Sequence, residues 1–143
     1  MFTIRKTKIE DVESIIELEK KYLGETIGDM LFTELMNPVA FFFTAEINNE
    51  VVGYIGGWII EDSLEIINLV VDETYQRQGI GTKLIDTISN VKNIKEIILD
   101  VRCTNQKAIN FYQKLGFKEI NKRLGYYKNG DDAYVLRKMK EGM

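Results

Sequence analysis

Apolar and polar positions change period several times along the chain, and each change marks an element. Residues 2–5 alternate as a half-buried strand does and predict a first strand. Across 10–22, Val12, Ile15, Ile16 and Leu18 recur at helical spacing among charges, which predicts an amphipathic helix. Residues 27–36 predict a second, weaker helix, ended by Asn37-Pro38. Residues 39–47 and 51–60 read as strands joined by the turn Asn48-Asn49-Glu50, and 64–72 as a further strand entered from Glu61-Asp62-Ser63. Ile80, Leu84, Ile85, Ile88 and Val91 return to helical spacing. The almost continuous apolar run 95–101 suits a strand buried on both faces. Residues 105–115 predict a helix with Ala108, Ile109, Tyr112 and Leu115 on one side, closed by Gly116 in the left-handed position. Strands at 117–121 and 132–139 finish the pattern. The order is strand, two helices, three strands, helix, strand, helix, two strands. It predicts an α/β (α+β) chain, a mixed sheet with helices packed on it, in a single domain over 1–143.

Composition narrows the function. The 143 residues carry 19 Lys and Arg against 22 Asp and Glu, a net charge of −3 that implies no basic nucleic-acid face. Hydrophobic content of 45% is that of an ordinary globular chain. The N-terminal stretch holds no long apolar segment, so neither a signal peptide nor a membrane span is expected. The one cysteine, Cys103, cannot form an internal disulfide, which points to a reducing, cytoplasmic setting, and it reads as a small buried residue. Histidine is absent altogether. That removes Ser-His and Cys-His nucleophiles and most zinc sites, so no metal is expected. Acid–base work is left to Asp, Glu, Tyr, Lys, water or the substrate.

One stretch calls for an explanation: Gln76-Arg-Gln-Gly-Ile-Gly81, between an apolar strand and an amphipathic helix. A helix N-terminus exposes unpaired N–H groups and the positive end of the dipole, and glycines there let phosphate oxygens approach the backbone. Arg77 adds charge. The Gly-Lys-Ser/Thr ending of a Walker loop is missing, and so is the third glycine of the dinucleotide fingerprint. The residues alone leave two readings open, a phosphate loop or a plain strand-to-helix turn.

Gln76-Arg77-Gln78-Gly79-Ile80-Gly81 after a strand ending in Val71-Asp72 resembles the pyrophosphate loop of the GNAT (GCN5-related) N-acetyltransferases. Asn105-Gln-Lys-Ala108-Ile-Asn-Phe-Tyr112-Gln-Lys-Leu-Gly116-Phe117 resembles the second half of the same family's cofactor site. The resemblance implies the GNAT acyl-CoA N-acyltransferase fold, a mostly antiparallel sheet of about seven strands with about four helices and splayed central strands. It implies acetyl-CoA as co-substrate, held by Gln76 to Gly81 with Thr82, by the backbone of Leu69, Val70 and Val71, and by Asn105 and Tyr112. Tyr112 stands where the family places the group facing the sulfur, which makes it the candidate general acid; a half-buried tyrosine bonded locally is the alternative. Asn105 also suits a helix N-cap.

Leu99-Asp100-Val-Arg102 is similar to the Leu-Glu-Val-Arg segment of the ribosomal-protein alanine N-acetyltransferases, the RimI type. There the acid follows the base at the spacing of Asp100 to Tyr112, so the resemblance implies Asp100 as general base. The alternative is a strand-end carboxylate paired with Arg102 or Lys95. Asn68-Leu-Val-Val-Asp72 and Gly125-Tyr126-Tyr127 with Gly130-Asp-Asp132-Ala133 resemble further segments of that subgroup. They imply Asn68, Tyr126 and Tyr127 at the acceptor; the alternative for the two tyrosines is a cover over the sheet edge. Trp58 and Glu65 sit on strands expected to line the cleft, with a structural role as the equal alternative. Asn129-Gly130 predicts a hairpin turn. The subgroup's Pro-Trp-Ser segment is replaced here by Leu23-Gly-Glu-Thr-Ile-Gly-Asp-Met30.

The implied reaction is direct attack of an amine on acetyl-CoA. The acceptor is a protein N-terminal α-amine, in its specific form that of a ribosomal protein, and the enzyme a monomer or homodimer without membrane or nucleic-acid partner. A small-amine, polyamine or antibiotic acetyltransferase, or a non-catalytic acyl-CoA-binding domain, remain the other readings.

Overall fold

In the computed structural model, residues 1–24, 28 and 30–140 are described. The elements are β1 (Thr3–Lys6), α1 (Val12–Leu23), α2 (Met30–Leu35), β2 (Ala40–Ile47), β3 (Glu50–Ile60), β4 (Ser63–Val71), α3 (Ile80–Ser89), β5 (Glu96–Arg102), α4 (Gln106–Lys114), β6 (Lys118–Arg123) and β7 (Ala133–Met139). The strands form a seven-stranded sheet in the order β1-β2-β3-β4-β5-β7-β6. The β1–β2, β2–β3, β5–β7 and β6–β7 ladders are antiparallel, and β4–β5 is parallel. The order of elements is the one the sequence pattern predicts. The chain divides into two compact units, one of residues 1–59 and 67–91, the other of 60–66 and the chain from 92 onward.

In the first unit, α1 buries Val12, Ile15 and Leu18, which meet Leu31, Tyr54 and Val70 in one cluster. Lys20 and Lys21 in its last turn complement the helix dipole, and Gly24 at φ 75° ends it. The helix begins later than expected because 9–11 form a 3-10 turn. Asp11 fixes that turn by accepting from Lys8 N (2.7 Å) and from both terminal nitrogens of Arg5 (2.7 and 2.9 Å). The β2–β3 hairpin turns at Asn48 and Asn49, with φ 50° and 67°. Both are left-handed, as a two-residue hairpin with the right twist requires. Helix α3 buries Ile80, Leu84, Ile85 and Ile88 and packs on β1 and β2; Val91 lies past its end. Of the second predicted helix Met30–Leu35 is helical, Gly28 and Met36 lie in turns, and Ile27 and Asp29 are outside the described residues.

In the second unit, β5 alternates strictly: Ile97, Leu99 and Val101 are buried and the residues between them only half-buried. This corrects the expectation of a strand buried on both faces, because Glu96, Asp100 and Arg102 keep one face polar. The β4–β5 ladder runs from Ser63 opposite Glu96 to Ile66 opposite Leu99. Helix α4 buries Ile109 and Tyr112, and Gly116 at φ 97° closes it, with Phe117 N donating to Tyr112 O (3.1 Å). Edge strand β6 is exposed along its whole length and carries Lys118, Lys122 and Arg123, charges that discourage pairing with another chain. β6 and β7 are not joined by a tight hairpin at Asn129-Gly130, as expected. A longer loop connects them, and within it Gly130 N donates to Tyr127 O (2.9 Å) while the Asn129 side chain accepts from Asp131 N (3.0 Å).

Candidate active site

In the first unit β4 runs into a 3-10 turn at Glu73–Tyr75 and then into the glycine loop. Asp72 caps the turn, accepting from Thr74 N (3.0 Å) and from the Tyr22 hydroxyl (3.1 Å), and Tyr22 in turn accepts from Glu73 N (3.0 Å). Gln76 reaches back to donate to Val71 O (3.1 Å), so its side chain anchors the loop to the strand end. Arg77 (φ 67°) and Gly79 (φ 82°) are left-handed, and Gly79 is the N-cap of α3 with no side-chain cap. The first helical bond is Lys83 N to Gly79 O (2.9 Å), which leaves the amides of Ile80, Gly81 and Thr82 without an intrahelical acceptor. With Arg77 beside them, these amides fit a pyrophosphate.

The same unit holds a pocket of about 160 Å³ whose lining is almost wholly apolar. Met30, Phe42, Tyr54, Gly56, Trp58 and Ile67 form most of the wall, completed by Glu34 and Asn68. Glu34 accepts from Trp58 Nε1 (2.9 Å) and Asn37 Nδ2 (3.3 Å). Beneath the pocket Glu19 is fully buried and accepts from the Tyr54 hydroxyl and from Asn68 Nδ2 (3.0 Å). Burial first, then the Glu19 carboxylate, push the Tyr54 hydroxyl far above its ordinary pKa, so it stays a donor. A carboxylate only accepts, so it fixes which end of the Asn68 amide faces it. Glu19 is a site residue that the sequence reading missed. Its signal was there, since it stands four residues after Ile15 and seven after Val12, on the apolar stripe of α1.

In the second unit Asp100, on β5, accepts from Arg123 Nε (3.2 Å). The alternative pairing partners fail: Arg102 binds Asp131 (3.1 Å) and Lys95 binds Asp62 (3.7 Å). Asp100 also interacts with Tyr126, whose hydroxyl pKa it raises, with burial adding to the effect. Tyr127 lies 4.0 Å from the Arg102 guanidinium carbon, and Tyr126 and Tyr127 meet edge-on at 5.1 Å. Asn105 caps α4, accepting from Ala108 N (3.1 Å). Tyr112 is buried, edge-on to Phe111 (5.1 Å) and Phe117 (5.4 Å), and burial pushes its hydroxyl well above the usual tyrosine range. Cys103 is half-buried rather than buried. Glu65 is half-buried on β4. No cluster of metal-binding side chains occurs among the described residues, and no helix among them is long and apolar enough to cross a membrane.

The family model of the acetyltransferase (GNAT) family matches residues 9–117. The chain belongs to the GNAT acetyltransferase family. It is 36% identical to an N-alpha-acetyltransferase of Sulfurisphaera tokodaii, over 94% of this chain and 91% of that protein. It is 25% identical to the ribosomal protein bS18-alanine N-acetyltransferase of Escherichia coli, over 95% and 96%. Among solved structures it is similar to the PaiA N-acetyltransferase of Thermoplasma acidophilum in complex with coenzyme A. That match has a TM-score of 0.80 and 25% identity, over 97% of this chain and 99% of that one. This GNAT chain is therefore an N-acetyltransferase with acetyl-CoA as co-substrate.

Proposed function

We propose that the enzyme moves acetyl from acetyl-CoA to the α-amine at a protein N-terminus by direct attack, within a single domain. What carries the acceptor is the likeness, over nearly the whole length, to proteins named for N-terminal acetylation. A ribosomal-protein N-terminus is one form of that acceptor.

The roles are those that the family resemblance implies. Amides at the start of α3 and the Arg77 guanidinium hold the pyrophosphate; Gln78, Gly79 and Ile80 shape the turn. The backbone of Leu69 and Val70 pairs with the pantetheine arm, and the Val71 N–H donates to the developing oxyanion. The Gln76 bond to Val71 O fixes the next peptide, where the strand passes into the loop. Asn68, Trp58, Tyr126 and Tyr127 receive the acceptor. Asp100 takes the proton of the attacking amine, and Tyr112 gives one to the departing thiolate. Burial keeps the Tyr112 hydroxyl protonated at working pH, and the same rise makes its proton harder to give until the thiolate is there to take it. Asn105 sets the start of the helix that carries Tyr112.

An α-amine has a pKa of about 7.7–8.0 and a lysine about 10.4, so the first offers far more neutral nucleophile near pH 7. A single modest base suffices for it. The test is the initial rate of CoA release with one peptide in two forms, free and blocked at its N-terminus, each keeping an internal lysine. Release is expected with the free form alone; equal release from both forms refutes the α-amine acceptor.

A further inference from the structure

We infer that the pocket between α2 and strands β2, β3 and β4 takes the side chain of the acceptor's first residue, and that this residue is a large apolar one, methionine or leucine, rather than alanine. The inference rests on the N-terminal acceptor reading and names its substrate class.

Size is the first argument. An alanine methyl fills about the space of one water, ~30 Å³, and leaves most of a pocket of about 160 Å³ empty. An unbranched methionine or a leucine fills several times as much. Polarity is the second. The wall's side-chain donors are already engaged: Trp58 Nε1 with Glu34, the Tyr54 hydroxyl and Asn68 Nδ2 with Glu19. An acidic side chain, which only accepts, would lose water on entering here and find no free donor. Shape is the third. A Cβ at Gly56 would stand 2.4 Å from the Phe42 ring. The glycine lets that ring lie against β3, where Phe42 and Gly56 are cross-strand partners, and the ring becomes the pocket's floor. Position is the fourth. Ile67 and Asn68 directly precede Leu69–Val71, the stretch assigned to the thioester arm, and a strand advances only about 3.3 Å per residue. A side chain in the pocket thus belongs to a residue whose amine is close to the acetyl group.

Trp58 is the chain's single tryptophan and lines the pocket, so it reports occupancy without turnover. The experiment uses the full chain and pentapeptides identical except for a first residue of Leu, Met, Ala or Asp. Binding is read from Trp58 emission in the presence of CoA, and transfer from acetylation with acetyl-CoA. Leu and Met peptides should shift the emission saturably and exceed the Ala peptide in kcat/KM by ~10-fold or more. Ile67→Glu, at a half-exposed strand position, should bring the Leu-to-Ala ratio toward one. Acetylation of the Ala peptide as fast as the Leu peptide, with no difference in emission, overturns the pocket's assignment and leaves the N-terminal reading standing. A saturable Leu-peptide shift without acetyl on any α-amine overturns the N-terminal reading instead, and with it the identity of the side chain as an acceptor's.

Discussion

Asp100 accepts a hydrogen bond from Arg123 Nε at 3.2 Å, and this guanidinium on the edge strand, not Arg102 or Lys95, is its ionic partner. The pairing fixes the orientation of the carboxylate. It also gives Asp100 a purely structural use. Asp100→Asn separates the two: kcat is expected to fall about 10²-fold, the pH–rate profile to change shape, and CoA affinity to stay as it is. A variant with unchanged kcat and profile would return Asp100 to holding β5 against β6 and β7.

Tyr112→Phe keeps the edge-on packing with Phe111 and Phe117 and removes only the hydroxyl. Folding and CoA affinity should survive while kcat falls about 10²-fold. Stopped-flow turnover beside a calorimetric CoA titration checks this, and an unaltered kcat removes Tyr112 from the proton path.

The α3 loop predicts opposite behaviour at two glycines. Gly81→Glu brings a carboxylate to the uncapped helix amides and should abolish CoA binding with the fold intact. Gly79→Ala meets no atom within 4 Å but must hold φ +82°. It should cost stability, about 1–2 kcal/mol, with CoA binding largely retained. Thermal melts and CoA titrations of both variants decide; CoA binding by Gly81→Glu at native affinity would contradict the loop's role.

Acid should loosen the entry to α1. Burial opposes the charge on Asp11, yet the bonds from Arg5 and Lys8 hold its pKa below the ordinary carboxylate value. A pKa lowered in the folded state means stability that is present above the unfolded value and lost as pH falls through the folded one. Asp11→Asn should therefore cost roughly 2 kcal/mol at pH 7 and progressively less below the ordinary carboxylate range. Urea unfolding at pH 7 and pH 3 measures this; a penalty independent of pH would contradict it.

Local patterns carried most of the fold. The α3 stripe, the Asn48-Asn49 turn, the Gly116 stop and the order of elements all follow from period and turn chemistry, which act over a few residues. The failures lie where distant residues decide. Asp100 finds Arg123 because β5, β7 and β6 are neighbours in the sheet, a relation no spacing along the chain reveals. Glu19 stands on the apolar stripe of α1, which marks it as buried, but its use shows only where Tyr54 and Asn68, from two other elements, meet it. Asn129-Gly130 has the composition of a tight hairpin, but Arg102 and Asp131 draw Asn129 into a longer loop. The helix cap by Asn105 was legible because an N-cap is a local contact.

The central claim is transfer to an N-terminal α-amine. The most direct measurement is fragmentation mass spectrometry of a peptide with a free N-terminus and one internal lysine, after incubation with the enzyme and acetyl-CoA. Acetyl on the N-terminal amine, with the lysine unmodified, is the predicted result. Acetyl on the lysine, or none on either amine, would contradict it.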